Sequence, residues 1–479
     1  MSEDKIPIHS KLQTSWSHSP VSYLTTMETA ELRRLALEHL WMPNADWAQM
    51  RLDDEPLIIV GGQGVRVTDS EGNRWIDVNG GYASVNVGYG RQDIANVAYE
   101  QMQQIAYFPQ QTVTPPTVRL AAKLAEITPG SLSRTFLVTG GSEANETALK
   151  IARAYHHRCG EPGRYKIISR KGSYHGATGG VLWMGAAEGT LADYEPPYPG
   201  LLYAPQPNTY RCEFNSESAD ECATRCAHAI EQLILTHGPS TVAAVIAEPI
   251  AGGPGTAVPG DPYWPMVREI CDRYGILLIV DEVVTGFGRT GKLFAVEHWN
   301  VVPDIMTVAK GLCSTYIPLG AAIIRREIGD KFSSESIRLN HVFTASGHPI
   351  SSVVGLKNIE IIQREGLLDN ALRVGDYFKD QLYTLQEKHP MIGDVRGIGL
   401  MLSMEFVADR QTKERFCREL KVAQRLTTSF KKHGLLLRAH GNTIVNIMPP
   451  LCITRQEVAE IILAVDESLN EVESAIGLT

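Results

Sequence analysis

The sequence predicts an α/β fold built on a mostly parallel sheet, and three observations lead there. Short apolar runs alternate with helical stretches through the middle of the chain: Thr135–Thr139, Tyr165–Ser169, Val242–Glu248, Ile276–Asp281, Ile305–Lys310 and Gly320–Ile324. That is the rhythm of a βα-repeating layer. The central runs are continuously apolar, as strands covered on both faces are. Several end on one charged side chain, namely Glu248, Asp281 and Lys310. In an open α/β sheet the carboxyl ends of the strands border the crevice where ligands bind.

A chain of 479 residues is longer than one domain usually is. A three-part division is expected: residues 1–84 as the N-terminal part of a small domain, 85–345 as a large α/β domain, and 346–479 as a C-terminal α/β part. Residues 1–26 read as polar and irregular, and Glu28–Leu40 as an amphipathic helix. Extended segments at Leu57–Gly61, Gly64–Thr68 and Trp75–Val78, with a turn over Asp69–Asn73, fit antiparallel strands. A glycine-rich passage, Gly80-Gly81 to Gly88-Tyr89-Gly90, leads out of them. After His348-Pro349, helical periodicity covers Ile350–Glu365 and Leu367–His389. Strand-like runs at Gly399–Phe406 and Thr443–Met448 flank a helix expected over Thr412–Lys432. Thr454 and Glu457 form a capping-box pattern for the last helix, with Ile461, Ile462, Val465 and Leu469 on one face.

Composition narrows the function. A net charge of -9 with no basic block argues against nucleic acid as a partner. No apolar run approaches the roughly 18 residues a membrane span needs, and the N-terminus lacks the basic and apolar regions of a secretion signal. Eight dispersed cysteines do not form a disulfide framework, so a reducing, cytoplasmic setting is expected. Cys222 and Cys226, with Cys212 and His228 nearby, raise the question of zinc. Ser218–Leu235 reads as a helix with those cysteines among its small and apolar positions, which favours packing over metal.

Lys310 follows Asp281 by twenty-nine residues, each at the end of its own apolar run. A buried amine and a buried carboxylate are costly unless something lies between them. A flat cofactor that condenses with the amine and presents a ring nitrogen to the acid resolves both costs, and pyridoxal 5′-phosphate has that chemistry. An ionised Asp281 would keep the ring nitrogen protonated. The turn Thr139-Gly140-Gly141-Ser142 opens a helix, so the backbone N–H groups of Gly141 and Ser142 are candidates for a phosphate seat. Tyr174, in Ser173-Tyr174-His175-Gly176, can cover one face of the ring, and His175 can support it. Val283 would pack under the opposite face. Glu248 ends a very apolar run, where a carboxylate rarely lacks a partner.

Five stretches resemble the class III pyridoxal-phosphate aminotransferases of fold-type I, the group that includes ω-amino acid:pyruvate and amine:pyruvate transaminases. They are Thr139–Lys150, Ser173–Thr178, Glu248–Gly255, Leu277–Thr290 and Val308–Ala321. The resemblance implies a seven-stranded, mostly parallel large-domain sheet, a small α/β domain formed from both chain ends, and a homodimer with shared active sites. A tetramer remains open. It implies that Lys310 is the Schiff-base lysine and proton shuttle, Asp281 the partner of the pyridine nitrogen, and Gly141 and Ser142 the phosphate turn, with Tyr174 stacked on the ring. Thr344, in Phe343–Pro349, matches the threonine that reaches the neighbouring subunit's phosphate. Arg438 matches the mobile arginine that pairs with a substrate carboxylate and swings away for an amine without one. A planar guanidinium on a long stem suits that task.

The chain departs from the family at two places. Gly253 stands where the 4-aminobutyrate and ornithine enzymes carry a glutamate that masks an arginine. Tyr82 and Ala83 occupy the region where some amine transaminases carry a tryptophan. The activity implied is ping-pong transfer of an amino group from an ω-amino acid or primary amine to pyruvate or another keto acid. Tyr82, Tyr107 and Phe108 are candidates for the wall the donor touches. An epimerase or decarboxylase on the same scaffold is the alternative.

Overall fold

The computed structural model describes residues 24–43, 47, 50, 55–185, 191–333, 338–441 and 443–478. Most of the segment expected to be irregular, residues 1–26, lies outside them. The chain divides into two compact units, Met1–Gly62 with Val67–Arg74, and Gln63–Arg66 with Trp75–Thr479. The described part of the smaller unit contains the helix Thr26–His39 and most of strands β1 (Ile59–Gln63) and β2 (Arg66–Asp69). Its helix starts at a reciprocal cap: the Thr25 hydroxyl accepts the Glu28 amide at 3.2 Å, and the Glu28 carboxylate accepts the Thr25 amide at 2.8 Å. The expected turn at Asp69 closes on that carboxylate, which accepts the amides of Glu71 and Asn73 at 3.0 and 2.9 Å.

The larger unit takes in strand β3 (Arg74–Asp77) from Trp75 onward. Its main sheet is formed by β4 (Leu132–Val138), β5 (Lys166–Arg170), β6 (Leu201–Ala204), β7 (Val242–Ala247), β8 (Leu277–Asp281), β9 (Ile305–Val308) and β10 (Gly320–Arg325). The seven strands run in the order β4-β10-β9-β8-β7-β5-β6. Only β10 is antiparallel to its neighbours, β4 and β9. Every residue of β7 and β8 is buried, which is why those strands read as unbroken apolar runs. The edge strand β6 is too short, after the proline-rich stretch before Gly200, to stand out in the sequence.

A second sheet of the larger unit comprises β11 (Ile392–Ile398), β12 (Met401–Phe406), β14 (Ala439–His440) and β15 (Ile444–Ile447). Between them β13 (Leu435–Leu436) pairs in parallel with β3, Leu435 opposite Ile76. The early and late parts of the chain therefore interlock. The sequence reading passes over β11, whose Gly393 and Gly397 dilute the apolar pattern. The helix expected over Thr412–Lys432 is shorter and covers only Val422–Lys432. Asp409 captures the Thr412 amide and hydroxyl at 2.7 and 2.9 Å, and the Ala408 amide bonds the Glu414 carbonyl at 2.7 Å. That local turn outcompetes the helix. Cys222 and Cys226 pack wholly inside the core, and all eight cysteines are free thiols. Among the described residues no helix is long and apolar enough to cross a membrane.

Candidate active site

Neighbouring strand ends assemble the centre. Asp281 closes β8 and lies in register with Thr307 of β9. Lys310 follows two residues after β9 ends and starts a short 3₁₀ turn, with φ +40°. Burial disfavours the charged amine and lowers its pKa to about 8; Asp281 opposes that shift, and the cationic Arg289 adds to it. Arg289 is itself fully buried. It donates to the Leu400 and Pro449 carbonyls and to Asn86 Oδ1, the last at 2.8 Å. Among the described residues no carboxylate pairs with it, and burial lowers its pKa to about 9.

Three donors fix Asp281. Its Oδ2 accepts from Asn145 Nδ2 at 2.8 Å and lies 2.7 Å from His175 Nδ1, while Oδ1 accepts the Val283 amide at 2.9 Å. Asn145 is tied on its other side, its Oδ1 accepting the Thr307 hydroxyl at 2.7 Å. His175 is buried, which disfavours its charge, yet Glu248 and Asp281 outweigh burial and raise its pKa. Its Nε2 is buried without a hydrogen-bond partner and lies 3.8 Å from Glu248. Glu248 accepts from Ser173 Oγ at 2.7 Å, from Arg170 at 3.1 Å and from the Tyr174 amide at 3.1 Å. Burial works against its ionisation, but His175 and Arg170 prevail and lower its pKa. Arg170, Glu248, His175 and Asp281 thus form one buried, connected line of side chains.

The candidate phosphate seat lies where β4 turns into the helix Gly141–Arg158. The first N–H groups of a helix have no partner within it, so those of Gly141 and Ser142 are available to an anion. Gly140 takes the cap position, in fully extended backbone, and Ser142, which the sequence suggests as the opening residue, lies one residue inside the helix. The Ser142 hydroxyl accepts the Ala177 amide at 3.1 Å, fastening the Tyr174 loop to the helix start. Close approach makes glycine necessary here. A Cβ on Gly141 would lie 2.9 Å from Val283, and one on Gly176, at φ +141°, would lie 2.5 Å from Ser142 Oγ. Val283 therefore sits against the Gly141 turn. Tyr174 is 61% exposed, its ring free to cover a bound group.

Gly80, Gly81, Tyr82 and Ala83 form a left-handed turn with φ between +53° and +64°. For Tyr82 and Ala83 this costs about 1–2 kcal/mol each. Asp77 secures it, accepting the Gly81 amide at 2.7 Å, the Asn79 amide at 3.1 Å and the Tyr89 hydroxyl at 2.5 Å. Tyr82 is exposed and accepts a hydrogen bond from Arg438 at 3.2 Å, whereas Ala83 is buried. Tyr107, Phe108 and Thr344 form a separate exposed group, joined by the Tyr107 hydroxyl donating to the Thr344 carbonyl at 2.8 Å. No described hydrogen bond or ring contact links them to the Asp281 cluster.

Sequence reasoning passes over Asn145, Arg170, Ser173 and Arg289. Arg170 ends β5, the same pattern that draws attention to Glu248 and Asp281. Asn145 is polar on a helix face otherwise buried as Ala144, Ala148 and Ala152. Arg289 has no such mark, since only the fold shows that it is enclosed.

A helix start beside Val283, a fixed acid and an amine of depressed pKa at neighbouring strand ends suit a cofactor that carries a phosphate, a basic ring nitrogen and an aldehyde. This is the arrangement of a pyridoxal-phosphate enzyme. Residues 49–469 match the family model described as aminotransferase class-III. The chain is 36% identical over 458 residues to putrescine–pyruvate aminotransferase of Pseudomonas aeruginosa, covering 95% of this chain and 99% of that protein. It is 37% identical over 465 residues to taurine–pyruvate aminotransferase of Bilophila wadsworthia, covering 95% of this chain and 100% of that one. The fold is similar to a thermostable (S)-enantioselective omega-transaminase from Thermomicrobium roseum, with a TM-score of 0.90 and 40% identity over 92% of this chain and 98% of that chain. The chain belongs to the class-III aminotransferases. It is a transaminase that uses pyridoxal 5′-phosphate.

Proposed function

We propose that the protein moves the amino group of a primary amine or ω-amino acid to pyruvate or another keto acid, in two half-reactions at one site. The observation behind this is the pairing of an amine whose pKa is about 8 with an aspartate held by three donors on the adjacent strand end. Bound pyridoxal phosphate supplies an electron sink for the carbon that loses its proton. Lys310 Nζ, neutral over a useful pH range, takes that proton from the amine-bearing carbon of the donor. In the return half it delivers one to the carbon of the keto acid. Asp281 holds a proton on the ring nitrogen, and His175 and Asn145 keep its carboxylate aimed. Gly141 and Ser142 bind the phosphate, Val283 and Tyr174 enclose the ring, and Arg438 pairs with substrate carboxylates.

The two named relatives share pyruvate as acceptor, and their donors share a terminal primary amine. Those features support amines and ω-amino acids as the donor class and pyruvate as the acceptor. Tyr82 borders the donor side of the mouth. We further propose a homodimer with shared sites. Tyr99, Met102, Ile105, Tyr107, Phe108 and Val113 leave large apolar side chains exposed along one stretch, beside Thr344, and a patch of that kind calls for a partner surface. Eight free thiols suit a reducing, cytoplasmic setting.

Borohydride reduction of the holoenzyme should leave a pyridoxyl group on Lys310, read by peptide mass. A panel of amines and ω-amino acids with pyruvate should yield alanine stoichiometric with consumed donor. Nitrogen retained in an inverted product, or carbon dioxide released from the donor, would replace this reading with epimerisation or decarboxylation.

A further inference from the structure

Arg438 is exposed, and its surroundings are unusual for a cation that must wait between substrates. Its NH1 donates to the Tyr82 hydroxyl at 3.2 Å, and its guanidinium carbon lies 6.0 Å from the centre of the Tyr82 ring. Among the described residues no carboxylate pairs with it. Gly253, where certain relatives place a masking glutamate, has no room for any side chain: a Cβ there would lie 2.5 Å from the Gly172 carbonyl oxygen. Backbone does not yield to such a contact as a flexible side chain would. An acid is thus excluded from that position by the path of the chain.

The Tyr82 side is built with corresponding care. Tyr82 projects from a left-handed turn that an L-residue adopts only under constraint. Asp77 grips the turn through the Gly81 and Asn79 amides. Gly80 is packed so tightly that a Cβ would lie 2.5 Å from the Met448 carbonyl oxygen. The phenol is therefore fixed at its base, while its exposed tip bonds Arg438.

We propose that Tyr82 is the resting partner of Arg438, holding the guanidinium until a substrate carboxylate takes it. This rests on the reading of Arg438 as the carboxylate-binding residue. A phenol offers one neutral acceptor and a ring face, while a carboxylate offers two charged oxygens in the geometry of the guanidinium fork. The substrate acid therefore wins the exchange. An apolar amine leaves the arginine on Tyr82 and out of the donor space. A neutral partner makes the switch easy to throw, where a masking glutamate would compete charge for charge.

The test uses the holoenzyme of the parent, Tyr82→Phe, Arg438→Ala and the double variant. Propionate, an inert carboxylate, is titrated against the absorbance of the bound cofactor, and kcat/KM is measured for β-alanine and benzylamine with pyruvate. Removing only the hydroxyl should tighten propionate about 2- to 10-fold, the range of one net hydrogen bond. It should shift the β-alanine to benzylamine ratio the same way. In the Arg438→Ala background the Tyr82 change should have no effect on propionate affinity. An unaltered propionate affinity in Tyr82→Phe, or an equal effect with and without Arg438, overturns the proposal while leaving the arginine's role intact. Parent-like propionate binding by Arg438→Ala removes the carboxylate role itself, and the latch with it.

Discussion

His175 Nδ1 lies 2.7 Å from Asp281 Oδ2, and the same oxygen accepts the Asn145 amide at 2.8 Å. Two side chains from different elements thus fix one oxygen of the acid. The other oxygen keeps a lone pair beyond its single bond to the Val283 amide, and that is the one able to face a ring nitrogen.

Asn145→Ala should loosen the acid without removing its charge. It deletes the bond to Asp281 and leaves the buried Thr307 hydroxyl without its acceptor, a cost of about 1–3 kcal/mol for each unsatisfied group. Cofactor loss during dialysis should accelerate about 10- to 100-fold, followed by absorbance. Parent-like retention would show that Asn145 only packs.

Asp281→Asn keeps the volume and removes the charge. The single-turnover rate with a saturating donor should fall about 10²–10³-fold, the effect of losing one preorganised electrostatic contact. The variant should still bind cofactor through the Gly141–Ser142 turn. A rate within about threefold of the parent would remove the acid from its assigned role.

Lys310 attacks an aldehyde only as the neutral amine, and the neutral fraction grows as pH rises through the pKa. An ordinary lysine would gain reactivity up to about 10.5, whereas this one should level off just above 8. The rate at which cofactor-free enzyme recaptures pyridoxal phosphate should follow that curve in stopped-flow absorbance. Continued increase beyond about pH 9.5 would mean that burial does not hold the amine down.

Gly253→Ala should be poorly tolerated, because the added methyl meets the Gly172 carbonyl oxygen at 2.5 Å. Overpacking of this kind costs about 1–3 kcal/mol, and the melting temperature should fall accordingly. Calorimetry giving a melting temperature equal to the parent's would indicate that the Gly172 loop moves aside freely.

Much of the sheet is legible in the sequence because β7, β8 and β9 are buried on both faces and so appear as continuous apolar runs. Their terminal charges stand out against that background. Strands without such cover are harder to see. The four residues of β6 lie at an edge, and β11 is interrupted by two glycines. Composition favours helix from Thr412 onward, while the Asp409 side chain supplies a local alternative that only the structure reveals.

The sequence by itself determined the family and marked the candidate residues: an aspartate and a lysine at or just past the ends of neighbouring strands, a glycine turn before a helix, and an arginine late in the chain. Periodicity and strand-end charge are local properties, and they survive in one dimension. Only the tertiary structure decided how those groups are held. It placed Asn145 and His175 on one oxygen of Asp281, enclosed Arg289 near Lys310, shut the space at Gly253 and set Tyr82 against Arg438. Each of these joins residues tens to hundreds of positions apart, so distance, burial and the direction of a side chain became definite only when the chain closed on itself.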